Sequence, residues 1–374
     1  MIMYTFLIKP TNNCNLRCKY CFISNAVKSS SDMMTIEMAK FAIKQIADFI
    51  GGKGEMACKI LWHGGEPLLW NASKYESVLS HMNEVYPHIH WDNSMQTNLT
   101  LLTDEHLKIF KKYNVKISTS MDGYENLHDS VRVKQNGTGT HSELVSKLHL
   151  LASNKIRVGL IVVLNAVNFD KIVDIYDYFK RHNQGFRVNP LIDSGEACCN
   201  KDLAITPEQY AEAMIQLFDY WINDESAIPV SNFIDWTSSL VTRATSSCSF
   251  VKNCQRTFTV IEPNGDISVC DRLCGEKDFV FGKIEANNFT DILQNKQKIF
   301  ENRADILRET DCRDCKYWNI CYGGCPAESI GGVKDINRKS KHCLSYRKIF
   351  DHIEKTILEN HIINNLIKPV ELCN

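Results

Sequence analysis

Residues 11–22 read TNNCNLRCKYCF and place Cys14, Cys18 and Cys21 in the spacing C-x3-C-x2-C. The stretch before them, MYTFLIK, is apolar and rich in β-formers, so the cysteines sit on the loop that leaves a first strand. Three thiolates on one short loop can hold three irons of a 4Fe–4S cube. The fourth iron is then left without a protein ligand, open to a small molecule as the open position of a catalytic zinc is. A four-thiolate cluster can only pass electrons.

Working outward, the first 190 or so residues alternate strand-like and helix-like segments. After the first strand, Thr35 can cap a helix whose apolar positions Ile36, Ala39, Ile43, Ile46 and Ile50 recur at helical spacing, with Gly51 as its stop. CKILWH, IHWDNSMQT, VKISTSM, IRVGLIVVL and FRVNPL read as five more strands, each but the last followed by a helical pattern, one of them capped by Thr103. Six such repeats imply a parallel sheet with helices outside, an α/β partial (β/α)6 TIM-like barrel rather than a closed barrel of eight. Chemistry in such folds gathers at the C-terminal strand ends. The unusual segments fall there: the cysteine loop after strand one, HGGEP after strand two, QTN ending strand three and SMDG ending strand four.

The chain has 374 residues, 16 cysteines and a net charge of -1. Without a basic field nucleic acid is not an expected partner, and no apolar run approaches the ~20 residues a membrane span needs. The N-terminus does not read as a signal peptide, so a cytoplasmic location is expected, where so many cysteines point to metal rather than disulfides. Three cysteines sit at the start and most of the rest follow from residue 248. Between the two regions, Thr206-Pro207-Glu208-Gln209 reads as a capping box opening an apolar-faced helix. The expected organisation is a barrel over 1–195, bridging helices over 196–247, a small iron–sulfur domain over 248–346, and a C-terminal helix and tail over 347–374. In that small domain FTVIEPNGDISVC reads as two strands about an Asn-Gly turn, and little regular pattern follows, so bound metal is expected to hold it together.

C-x3-C-x2-C with Tyr20 before the last cysteine resembles the radical S-adenosylmethionine (radical SAM) superfamily. The resemblance implies that the open iron chelates S-adenosylmethionine, whose reductive cleavage yields a 5′-deoxyadenosyl radical. It implies contacts to that molecule from Tyr20, Gly64, Gly65, Glu66, Asn98, Ser120 and Arg132. The later cysteines resemble the SPASM domain of peptide-modifying radical enzymes: Cys254-x10-Gly265-x4-Cys270, then Cys312-x2-Cys315-x5-Cys321-x3-Cys325, then Cys343. With Cys248 there are eight thiols for two auxiliary 4Fe–4S clusters. By resemblance Cys248, Cys254, Cys270 and Cys325 hold one, and Cys312, Cys315, Cys321 and Cys343 the other, which makes three clusters with the first.

The class implies a radical SAM oxidoreductase acting on a precursor peptide or protein, with an electron donor such as flavodoxin or ferredoxin. Asp271, directly after Cys270, matches the aspartate that serves as base in anaerobic sulfatase-maturing enzymes, which oxidise cysteine or serine to formylglycine. Two departures from that branch, His63 for its usual glutamine and Leu99 for its usual glycine, favour instead a maturase of ribosomally made peptides that forms a C–C cross-link (cyclophane) between an aromatic residue and a nearby β-carbon. Formylglycine synthesis is the alternative. Cys58, Cys198, Cys199, Cys274 and Cys373 stand outside both patterns.

Overall fold

The computed structural model describes residues 2–29, 32–245, 247–285, 288–333 and 335–360; Cys373 lies outside them. The six βα repeats supply the strands β1 (Tyr4–Ile8), β2 (Ala57–Trp62), β3 (His90–Gln96), β4 (Lys116–Ser120), β5 (Val158–Leu164) and β6 (Phe186–Pro190). They lie in the order β6-β5-β4-β3-β2-β1, which is the α/β arrangement that the repeats predict. The helix starts obey local chemistry. Thr35 takes the amide of Met38 at the head of Ile36–Gly52, and Thr103 takes that of His106 at the head of Asp104–Lys112. At Pro207–Ile222 both halves of the capping box are formed.

By contact density the chain divides into two compact units. The first comprises residues 1–161, 192–203 and 253–302, and the second residues 162–191, 204–252 and 303–374. The core of the first is the sheet's interior, with Phe6, Ile8, Ile60, Trp62 and Met95 almost wholly excluded from water. In the second, the helices Pro207–Ile222 and Cys343–Asn360 bury Phe218, Trp236 and Phe350, and Ser345 bonds back to the carbonyl of Pro207 at 2.6 Å.

The sheet does not stop at β1. β7 (Phe258–Ile261) runs parallel to it, Thr5 to Ile8 paired with Phe258 to Ile261, and β8 (Asp266–Ser268) and β9 (Val280–Lys283) follow antiparallel. Gly265, at φ +82°, turns the β7–β8 hairpin that the Asn-Gly pair predicts. A buried ion pair closes the β1–β7 junction. Lys9, fully buried just past β1, meets Glu262, just past β7, at 2.9 Å; Asn12 and Ser268 donate to the same carboxylate at 2.9 and 3.0 Å. Burial would strip Lys9 of its proton, but Glu262, with Cys274 and Asp271 nearby, keeps its pKa above the ordinary lysine value.

One expectation fails here. The region after β8 was expected to hold little regular structure, yet it contains β9 and a 21-residue helix, Phe289–Glu309. The helix stripe is Phe289, Ile292, Leu293, Lys296, Phe300, Arg303 and Leu307, all buried, and its two cations break the apolar periodicity on which the sequence reading relied.

Replacing Lys9 by Met strands Glu262 and is expected to cost ~3–5 kcal/mol in anaerobic denaturant unfolding. With Glu262→Gln added, the double variant should lose ~0.5–3 kcal/mol less than the sum of the singles; additive losses would show that the pair is not coupled.

Candidate active site

The cysteine loop is held by backbone from neighbouring rims of the first unit. Gly65 and Glu66 donate their amides to the carbonyls of Thr11 and Asn13 at 3.0 and 2.8 Å. A Cβ on Gly65 would stand 2.1 Å from the Asn13 carbonyl, and one on Gly64, at φ +126°, would stand 2.2 Å from that of Thr11. The close approach the two glycines permit is therefore to the cysteine loop itself. On its other side Arg17 and Lys19 donate to Val133 and Val131, and the amide of Glu196 meets the Cys21 carbonyl at 2.8 Å.

Cys14, Cys18 and Cys21 are half-buried and close enough to feel one another's charge. Burial first, then Glu66 and the other two thiols, raises the Cys14 pKa; burial raises that of Cys18 against the pull of Arg132. The amide of Leu16 and the side chain of Asn98 point donors at the Cys14 sulfur, at 3.4 and 3.8 Å. Three mutually repelling thiols with N–H donors on a clamped loop are a donor set that bound iron would neutralise, so the residues fit a cluster.

Glu66 is the hub of the rim. Its side chain is fully buried and accepts from Leu68 N (2.9 Å), Thr97 Oγ1 (2.6 Å) and Asn98 N (2.8 Å), tying the ends of β2 and β3 together. A carboxylate has about four acceptor positions, so it can take one donor more. Burial pushes its pKa up to about 7 against these three bonds. Asn98 spends its amide on Asn15 at 2.9 Å and its oxygen on Thr100, while Ser120 accepts from Gln96 at 3.2 Å. Arg132 is buried, donates from Nε to Asp122 at 2.7 Å and lies 5.1 Å from the Tyr20 ring centre; the Tyr20 hydroxyl also bonds to Asp122. Tyr20 and Arg132 thus share one buried carboxylate beside Cys18, a grouping in which Asp122 has no sequence signal beyond its place after β4.

Asp271 opens a short 3-10 turn directly after Cys270 and reaches the far side of the rim. Its Oδ2 lies 3.4 Å from Nδ1 of His63, the residue that follows β2, and its Oδ1 3.5 Å from the Cys270 sulfur. Phe22, from the cysteine loop, stacks on His63 with ring centres 6.3 Å apart. Burial acts to raise the Asp271 pKa, but His63, Lys9 and Arg272 outweigh it and hold the carboxyl below the ordinary range. Burial lowers His63. The ionised carboxylate can therefore accept a proton.

In the second unit Cys312, Cys315, Cys321 and Cys343 line one cavity, walled by Trp318 and Phe350. Burial, then Cys343 and Cys315, pushes Cys312 up to about 11, and burial with the other three thiols raises Cys321. Four thiols lining one cavity are a donor set that fits a cluster. Cys254 and Cys270 belong to the first unit, Cys248 and Cys325 to the second. Cys58 is a buried residue of β2, Cys198 and Cys199 are exposed, and Cys274 lies beside Lys9.

Residues 8–179 match the radical SAM superfamily, and residues 248–316 match the SPASM iron–sulfur cluster-binding domain. The chain carries a radical SAM domain followed by a SPASM domain. It is 26% identical to the cysteine-type anaerobic sulfatase-maturating enzyme of Clostridium novyi (strain NT) over 93% of its own length and 94% of that protein's. It is 24% identical to the serine-type enzyme of Bacteroides thetaiotaomicron, over 98% and 94%. Among solved structures, native anSMEcpe with bound AdoMet and Cp18Cys peptide superposes with a TM-score of 0.84 at 23% identity, covering 95% of this chain and 98% of that one. Streptococcus suis SuiB bound to precursor peptide SuiA gives 0.61 at 16%, covering 90% and 75%.

These findings favour the formylglycine alternative over the cyclophane expectation, which none of them supports: the two relatives just described are sulfatase-maturating enzymes matched over more than nine-tenths of the chain. Leu99 is fully buried at φ +66°, so it keeps the left-handed backbone that glycine favours.

Glu66, raised to about 7 by burial, must lose its proton to offer a full carboxylate to the N–H groups of the bound molecule. Binding of S-adenosylmethionine to the iron-loaded protein should therefore tighten as pH rises from about 6 to about 8, with release of a proton, and Glu66→Gln should flatten that dependence. Calorimetry in buffers of different ionisation heat measures both; an unchanged slope in the variant would remove Glu66 from the contact.

Proposed function

We propose that this chain is a peptide-modifying maturase of the anaerobic sulfatase-maturating type, oxidising a cysteine or serine side chain of a peptide or protein to formylglycine. The observation that carries this reading is the similarity to cysteine-type and serine-type maturating enzymes over more than nine-tenths of the chain. The Cys270–Asp271 pair, with an ionised carboxylate facing the rim, supports it.

Cys14, Cys18 and Cys21 would hold the first cluster, with Glu66, Arg132, Tyr20, Asn98, Ser120 and the Gly64–Gly65 backbone around S-adenosylmethionine. Bound there, the pair would supply the reductive chemistry that removes one hydrogen atom from the substrate β-carbon. The carbon radical left behind must lose one electron and one proton to become a C=S or C=O bond. In this reading Asp271 would take the thiol or hydroxyl proton, with His63 Nδ1 lying 3.4 Å from its carboxylate. A thioaldehyde exchanges its sulfur for water and gives the aldehyde; a serine gives it directly. The two SPASM clusters would accept the electron, and a flavodoxin or ferredoxin would supply the reducing electron for the first.

Anaerobic incubation with peptides bearing a sulfatase-type cysteine or serine is expected to give a hydrazine-reactive aldehyde in tandem mass spectrometry. Loss of two hydrogens without an aldehyde would overturn this reading. Asp271→Asn should lower aldehyde yield by about 10²–10⁴-fold while 5′-deoxyadenosine still forms, because hydrogen abstraction precedes proton transfer. In the native enzyme the carboxyl titrates below the ordinary carboxylate value, about 3.9, so its loss of function on acidification falls below that pH.

A further inference from the structure

The helix Phe289–Glu309 buries a lysine that the reaction described above does not use. Lys296 is wholly excluded from solvent, and its ammonium donates to the Phe258 carbonyl at 2.5 Å and to Thr259 Oγ1 at 2.7 Å. Both partners lie on β7, whose Val260 pairs with Ser268 of β8. Cys254 is four residues before Phe258, and Cys270 two residues after Ser268, so the hairpin brings the two thiols to the segment on which Lys296 is anchored. The two thiols are the charged neighbours that act on it: burial draws the lysine down to about 7, and Cys254 and Cys270 draw it back up. Among the described residues no carboxylate is hydrogen-bonded to it. An ion placed at such depth without a counter-carboxylate calls for negative charge from elsewhere.

The stripe position could have been apolar at no cost to the helix. Phe289, Leu293, Phe300 and Leu307 on the same face are buried hydrocarbon. A leucine or methionine would fill the space without forfeiting desolvation energy, so retaining a lysine there points to a partner that the protein chain alone does not provide.

We propose that Lys296 is a tuning residue for the auxiliary cluster held in part by Cys254 and Cys270, its buried ammonium raising the reduction potential of that cluster. A cube ligated by four thiolates gains one negative charge on reduction, and a fixed cation nearby, in a dry surrounding, favours the reduced form. Two of the three ammonium hydrogens are used on β7. The consequence for the reaction is direct. A cluster that accepts an electron readily commits a substrate carbon radical to oxidation before that radical can recover a hydrogen atom. The inference rests on the auxiliary-cluster reading and not on the identity of the peptide.

The test is a redox titration of the holoenzyme, followed by electron paramagnetic resonance, for wild type, Lys296→Met, Lys296→Gln and Lys296→Arg. Iron and sulfide are counted in each, which checks the cluster reading separately. The neutral variants should keep full iron content while one couple of the set moves to lower potential. At a fixed ambient potential its reduced-to-oxidised ratio should fall about tenfold, 59 mV for a one-electron couple. The Arg variant should restore it, and the other couples should not move. Lys296→Gln keeps a donor for β7 and serves if the Met variant does not fold. Unmoved potentials at full iron content would overturn the proposal. So would loss of iron from both neutral variants, which would make Lys296 a structural residue of the hairpin.

Discussion

The parallel pairing of β1 with β7 is the constraint on which the site depends. It joins residues about 250 positions apart in sequence and makes the C-terminal cysteine region an extension of the N-terminal sheet. The buried Lys9–Glu262 pair closes that joint, and three further groups on the same carboxylate and lysine satisfy what the two charges leave over. An ion pair at such depth contributes little net stability compared with hydrocarbon. What it enforces is register. A slip of β7 by one residue would turn its side chains to the opposite face and separate Glu262 from Lys9, so the pairing in which Asp271 meets His63 is the one in which the buried charges are matched.

A second constraint works at the opposite end of the loop logic. The cysteine loop takes part of its geometry from the backbone of residues 64–66, to which its carbonyls are bonded. Glu66 then ties that backbone to Thr97 and Asn98, so that the ends of three strands behave as one piece. The GGE segment is therefore first a scaffold for the cysteine loop. Any contact it makes to a bound small molecule is made from a frame already fixed.

Much of this was legible in the sequence because it is written in local terms. The six βα repeats follow from periodicity, the helix starts from Thr35, Thr103 and the Thr206 capping box, and the hairpin from Asn264-Gly265. The rim segments were found because strand ends can be counted. What the sequence hid is what depends on long-range proximity or on buried charge. The helix Phe289–Glu309 was missed because Lys296 and Arg303 occupy positions where a reader expects hydrocarbon. Glu262, Asp122 and Glu196 have no motif, and they matter through partners 253, 10 and 175 positions away. His63 and Leu99 look alike as departures from a pattern, yet one touches Asp271 and the other only preserves a backbone angle.

The first unit is assembled from three separated stretches, the last of which ends at residue 302. This has a consequence for biosynthesis. Chains leave the ribosome N-terminus first, and contacts of high sequence separation form late and at a large entropic cost. β1 emerges early but cannot complete its pairing until β7 has been translated, and Lys9 has no counter-charge until Glu262 arrives. The opening cysteines are therefore exposed for most of synthesis on an unfinished sheet edge. Iron delivered to them before release would reach a loop whose surroundings are incomplete, so stable cluster insertion belongs after translation, on a chain that has already closed its longest loop.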